Sequence, residues 1–338
     1  MTHELGHFLT AKLFGVRVNE FSICMGPAIF QKKIGETNYA LRCIPIGGYC
    51  AMEGEDEKSD DPRAFTSAKP WKRAVILVAG SAMNFFTGLL ILLVMFASVR
   101  TVTTGQISGF MPGCELEAED GLQVGDEILS IDGHRVYQYS DIAMLLDRNS
   151  TERYDLVIKR EGGKLSLNDF AMKKRVYEEN GTTVYRCGLQ FGVAEMTPAL
   201  MIRNAWCSAL DFARLVWLGL SDLVSGFVDM DDMSGPVGIV SVIAETGKTS
   251  ESGGEAALNI SYLAAFIAVN LAVMNLLPIP ALDGGRVFFL VVTAVMEKIL
   301  RKRIDPKYEG YIHAVGMILL LMFIAFITLK DIWKLIGS

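Results

Sequence analysis

His3-Glu4-Leu5-Gly6-His7 sets two imidazoles four residues apart, with a carboxylate beside the first. On a helix, positions i and i+4 share a face, so both rings can reach one Zn²⁺ ion while Glu4 holds a water next to it. That is the chemistry of a metal-dependent hydrolase, with Glu4 as general base and His3 and His7 as metal ligands. The chain has only 4 histidines and two lie in this motif. A chance helix start with two exposed imidazoles is the plain alternative. Tetrahedral zinc held by two histidines needs a third protein ligand, His or acidic. His134 falls in an expected turn outside the cytoplasm and His313 in a long apolar run. Asp283 ends another apolar run, in Asn275-Leu276-Leu277-Pro278-Ile279-Pro280-Ala281-Leu282-Asp283-Gly284-Gly285. A carboxylate at membrane depth is costly unless it has a partner, and the zinc is the partner assigned to it here. A helix-end Asp at the membrane interface is the alternative.

These residues need elements to carry them, and the composition says what kind. Hydrophobic residues make up 51% of the 338, charged residues 21%, with 32 Lys+Arg against 38 Asp+Glu and a mean hydropathy of +0.33. A disordered tail, a basic nucleic-acid binder and an ordinary soluble enzyme of this length are excluded. Residues 74–99 carry no charge and would make a helix of about 39 Å, enough to cross a bilayer. Residues 256–285 form a second span that breaks at Pro278-Ile279-Pro280. Residues 310–329 form a third. The segment 197–227 differs: Arg203, Asp211, Arg214 and Asp222 fall within roughly 100° of one another on a helical projection, which predicts a buried or interfacial amphipathic helix, along a surface or packed on a domain, with a fourth internal span as the alternative.

Lys and Arg cluster before the first full span and between the last two. The positive-inside rule makes both clusters cytoplasmic and leaves about 101–250 outside. No cleavable signal peptide is expected, so insertion rests on the internal spans. Residues 1–18 are too short in apolar length to cross. The expectation is a shortened first membrane helix, from a late start or a missing preceding segment. Six cysteines without a CxxC pair predict neither a disulfide framework nor a zinc ribbon, and are read as packing residues.

Together, HELGH at 3–7, Gly80-Ser81-Ala82-Met83-Asn84-Phe85, Ser234-Gly235-Pro236-Val237-Gly238-Ile239 and the motif from Asn275 to Gly285 resemble the site-2 protease family of intramembrane zinc metallopeptidases (peptidase family M50). The likeness is to the bacterial regulator-of-sigma-E type with one PDZ domain, over nearly the whole chain. It implies that His3, His7 and Asp283 bind one zinc, that Glu4 is the general base, and that Asn275 holds the substrate backbone or the developing oxyanion. Pro278, Pro280 and Gly284 are expected at the substrate. Ser81 stands where the family usually has proline.

The expected fold is a multi-pass α-helical membrane protein with an inserted extracytoplasmic PDZ domain and a membrane-associated β-hairpin. The hairpin is placed at 24–50, with strands over 28–34 and 37–46 around a Gly35-Glu36 turn. An exposed edge there can hold an extended substrate beside the zinc, while a plain cytoplasmic hairpin is the alternative. Residues 51–73 read as a cytoplasmic linker containing a solvated acidic run. The run from Gly121 to Gly133 resembles a PDZ signature within 103–193, with Ser140 capping a short helix and a strand at 154–159. That domain acts as a ligand reader or as a steric filter against bulky ectodomains.

The resulting expectation is a bacterial inner-membrane endopeptidase with its catalytic side toward the cytoplasm. Its partners are the lipid bilayer and single-pass transmembrane substrates, such as anti-sigma factors or signal-peptide remnants, with no nucleic acid. A catalytically inactive PDZ scaffold or chaperone is the main rival. A metal transporter is a second, disfavoured because its ligands would line a path and not meet at one point.

Overall fold

The computed structural model describes residues 1–55, 59–119, 121–148, 151–179, 182–225, 238, 243, 252–300 and 307–337. Of the Ser234 to Ile239 motif only Gly238 lies among them. Its N–H donates to Asp331 Oδ2 (2.9 Å). The chain divides into two units, residues 1–92 with 212–338, and residues 93–211.

In the first unit, α1 (Thr2–Leu13) is 12 residues long, about 18 Å, shorter than a bilayer core. β1 (Val18–Ile34) and β2 (Thr37–Met52) follow as an antiparallel hairpin. It begins six residues before the expected start and doubles back on itself. Residues 38–41 of β2 pair with 20–23 of β1 on one side and, over 38–42, with 28–33 on the other, while 48–51 pair with the outer side of 20–23. Two strands thus make a sheet of four segments. Arg42 stitches its bend, with Nη1 donating to Gly26 O and Nη2 to Glu20 Oε1, each 2.6 Å, and the Tyr49 hydroxyl also donates to Glu20 (2.6 Å). Burial works to raise the Glu20 carboxyl, but these hydrogen bonds outweigh it and hold it below its ordinary value.

The segment expected as a linker is instead anchored. Glu53 N–H donates to Arg17 O (2.9 Å), Arg17 N–H to Arg63 O (3.0 Å), and Arg17 pairs with Asp61 (3.1 Å). Phe65 is buried in a cluster with Ala11, Val18, Met52 and Ile76, so burial of one aromatic ring fixes a stretch that looks solvated by charge count.

Among the described residues, three helices are long and apolar enough to cross a membrane: α2 (Pro70–Ala97), α5 (Gly253–Asn275) and, within α7 (Lys307–Gly337), Gly310–Trp333. Pro70 begins α2, where its missing N–H costs nothing. Ser252 caps α5 by accepting from Glu255 N–H (3.2 Å). α5 stops at Asn275, residues 276–282 form a loop, and a separate helix α6 (Asp283–Leu300) starts at the carboxylate. The expected span to 285 is therefore a helix, a break and a new helix, because Pro278 and Pro280 have no N–H to continue the ladder.

The second unit is built on an antiparallel sheet in the order β10-β3-β4-β6-β7, with β5 beside β4. These are β3 (Thr101–Phe110), β4 (Glu127–Ile131), β5 (His134–Arg135), β6 (Arg153–Arg160), β7 (Gly163–Ala171) and β10 (Leu189–Glu195). A separate hairpin, β8 (Arg175–Glu179) and β9 (Thr182–Arg186), lies between β7 and β10 in sequence. Along β6 the period of two buries Tyr154, Leu156 and Ile158. They pack with Ile128, Ile142 and Leu145, the last two from α3 (Tyr139–Arg148). Ser140 lies inside that helix, and Asp141 ties its start by accepting from Tyr137 N–H (2.7 Å) and Gln138 N–H (3.2 Å). Both donors reach the one oxygen and both precede the helix, so the carboxylate fastens the chain entering it.

α4 (Pro198–Val224) is amphipathic, but its polar side is partly turned inward. Asn204, Ser208 and Asp211 are buried, and Gln138 Nε2 donates to Ser208 Oγ (3.0 Å) and Asp211 Oδ2 (3.1 Å). Ile202, Trp206 and Trp217 are exposed. All six cysteines are free thiols. Cys50, Cys187 and Cys207 are buried, whereas Cys43 is exposed.

Candidate metal centre

Helical spacing on α1 puts His3 and His7 on one face, with their Nε2 atoms 3.1 Å apart and ring planes at 87°. α2 passes directly behind them. His7 Nδ1 lies 2.8 Å from Ile76 O, and a ring nitrogen facing a carbonyl must donate to it. The proton therefore sits on Nδ1, and Nε2 is left with a lone pair aimed away from α2. Such close passage needs glycine. A Cβ on Gly80 would lie 2.6 Å from His7 Cε1 and 2.7 Å from His3 Cε1, and one on Gly6 would lie 2.8 Å from Met83 Cγ.

The first turn of α6 supplies the third group. Asp283 Oδ2 is 3.0 Å from His3 Nε2 and 3.3 Å from His7 Nε2. His7 is buried, and His3 and Asp283 keep 18% of their side chains exposed, so one side stays open to water or substrate. The three donor atoms are 3.0–3.3 Å apart. Corners of a tetrahedron with zinc bonds near 2.05 Å are about 3.3 Å apart, so the set fits one such ion. Two imidazole nitrogens and a carboxylate oxygen converging on a point with few protons between them also favour a cation electrostatically.

Glu4 stays outside this trio. It faces the end of β2, where an added Cβ on Gly48 would sit 3.6 Å from Glu4 Cγ. Asn275 brings its amide nitrogen to 3.4 Å from His3 Nδ1. Pro278 is exposed, whereas Pro280 is half-buried. Gly284 has the Leu276 and Leu277 carbonyls where a side chain would be, so its lack of a Cβ lets α6 begin against the preceding loop.

Sequence reasoning quoted Asn84 without giving it a role. Its oxygen accepts from Thr2 Oγ1 (3.1 Å) and its nitrogen lies 3.4 Å from His3 Nδ1. An asparagine inside an otherwise apolar span was the available signal. The ion pair between Arg286, one turn beyond Asp283, and Glu55, just after β2, was also missed, since nothing in sequence brings those positions together.

The pattern of peptidase family M50 matches residues 1–323, a range holding both the HELGH segment and Asp283. The chain belongs to peptidase family M50. Relatives of this M50 peptidase include a Clostridium perfringens protein provisionally named a zinc metalloprotease, 34% identical over 98% of this chain and 94% of the relative. A Fusobacterium nucleatum protein with the same provisional name is 35% identical over 98% and 95%. The Bacillus subtilis regulator of sigma-W protease RasP is 28% identical over 98% of this chain and 95% of its own length. The M50 peptidase described here is thus a membrane metalloprotease of the site-2 protease family.

Proposed function

We propose that this M50 peptidase is an intramembrane zinc endopeptidase that cuts transmembrane segments of single-pass membrane proteins. The observation that carries the reading is the meeting of His3 and His7 from α1 with Asp283 from α6 at 3.0–3.3 Å. His3, His7 and Asp283 would hold one zinc, which supplies Lewis acidity to the scissile carbonyl and to a water. Glu4 takes a proton from the attacking water and delivers it to the amine that leaves as the C–N bond breaks. The carbonyl carbon gains the hydroxyl, and Asn275 supports the oxygen that develops charge.

A helical substrate hides its carbonyls in i to i−4 hydrogen bonds, so it must be unwound first. The 48–51 segment of β2 runs beside Glu4, and among the described residues it pairs on one side only. Strand addition along its other side would hold the substrate extended there, with Pro278, Pro280 and Gly284 bounding the cleft. The sheet unit over 101–195 is read as a PDZ domain outside the cytoplasm of a bacterial inner membrane, with the catalytic side facing in. It reads or filters what approaches. A relative named for regulation of sigma-W supports anti-sigma factors as the substrate class, with signal-peptide remnants as the second.

Reconstitution with a model transmembrane substrate tests this. Glu4→Gln should keep the zinc and lose cleavage by about 10²- to 10⁴-fold. Asp283→Ala and chelation should remove metal and cleavage together. Equal cleavage by the parent and Glu4→Gln would reject Glu4 as the general base, and a parent that holds zinc without cleaving would belong to the scaffold class instead.

A further inference from the structure

The loop that delivers Asp283 is itself held from outside. Within 276–282, Ala281 adopts φ +79°, a left-handed conformation that its methyl group disfavours. Pro278 and Pro280 contribute no N–H, and the Ile279 and Leu282 N–H groups are used inside the loop, donating to Leu277 O (2.7 Å) and Ile279 O (3.2 Å). One donor it does have, Ala281 N–H, points to His313 Nδ1 of α7 at 3.0 Å. The His313 ring stands edge-on to Phe289 of α6, centroids 5.4 Å apart at 72°. One turn along α7, Gly316 carries no side chain where Pro280 lies, and an added Cβ would be 3.2 Å from the Pro280 carbonyl carbon and oxygen. A single face of α7 thus touches Pro280, Ala281 and α6, immediately before and after the carboxylate.

We propose that His313 is a positioning residue. By accepting the Ala281 N–H it locks the left-handed turn and so fixes where Asp283 Oδ2 stands over the two imidazoles. Sequence left His313 as an alternative ligand. The structure turns its Nδ1 to a backbone donor and makes it a support for the ligand. The inference rests on the zinc reading above. Outer groups that orient metal ligands typically change metal affinity by about 10- to 100-fold.

The test measures zinc affinity by competition with a fluorescent chelator on the full-length protein, with thermal unfolding and kcat and KM alongside. Asn offers its oxygen where Nδ1 stands, whereas Gln offers it farther out, at the Nε2 place. His313→Asn should retain zinc within a few-fold of the parent. His313→Gln and His313→Leu should weaken it about 10- to 100-fold and lower kcat with little change in KM. Should His313→Leu fail to fold, the Asn and Gln pair still decides. Zinc affinity in His313→Gln equal to that of His313→Asn, with or without a lowered unfolding temperature, overturns the proposal. Asp283→Ala run beside them separates the two claims. If it holds zinc like the parent, the zinc reading itself fails, and if it loses zinc while His313→Gln does not, only the role of His313 fails.

Discussion

His7 is held at Nδ1 by the Ile76 carbonyl, which leaves Nε2 facing His3 Nε2 and Asp283 Oδ2. That His3 and His7 share one face was legible because a spacing of four residues on a helix has one geometric meaning. Asp283 was legible because charge at membrane depth demands a partner. The carbonyl of Ile76 was not, since every residue has one and only the packed structure chooses which of them counts. Burial, reinforced by the negative charges of Glu55 and Glu4, pushes the Cys50 thiol up to about 12, while Cys43 on the same strand is exposed. Only thiolate reacts with maleimide. At pH 8 the folded protein should label at Cys43 and leave Cys50 unmodified, becoming reactive there on denaturation. Equal labelling, followed by peptide mass mapping, would contradict the described burial.

α1 and α2 meet through missing side chains, Gly6 on one and Gly80 on the other. Gly80→Ala should push the imidazole pair aside and lower zinc affinity about 10- to 100-fold, while α2 still inserts as judged by protease protection. Its neighbour gives the control. Ser81 is buried and its hydroxyl makes no hydrogen bond among the described residues. Ser81→Ala should therefore leave zinc binding unchanged and stability unchanged or raised by about 1 kcal/mol. Element types were readable wherever one period ran unbroken, as in the charge-free stretch of α2 and the alternation of β6. The first part of β1 was hidden because Asn19-Glu20 looks like a turn or a solvated loop. Arg42 and Tyr49, distant in sequence, make a strand carboxylate acceptable there. The inward polar face of α4 was hidden for the same reason, since Gln138 comes from another element.

Across the molecule, composition set the apolar runs apart from 103–193, and the structure divides the chain after residues 92 and 211, inside α2 and α4. The anchoring of residues 51–55 and 59–73 was not legible because it depends on one phenylalanine and on backbone hydrogen bonds to Arg17. In the sheet unit, Asp126 is buried against Arg160 at 2.8 Å. Burial alone would raise its carboxyl, but the guanidinium and the Gln123 N–H hold it below the ordinary value. A group depressed by folding stabilises fully above its unfolded value, near 3.9, and loses that contribution as pH falls through the lower folded value. The parent should melt above Asp126→Asn at pH 7, and the gap should narrow below about pH 4. A gap that widens in acid would reverse the assigned sign.

The doubled-back hairpin constrains how this protein can change length over time. Side chains alternate faces along a strand, so losing one residue at the crease between Ile23 and Ala28 would invert every position from there to the tip while sparing the earlier half. An insertion at Gly35-Glu36, where the ribbon ends in a turn, leaves every strand register in place and disturbs instead the pairing of Glu36 with Lys12 and Arg63.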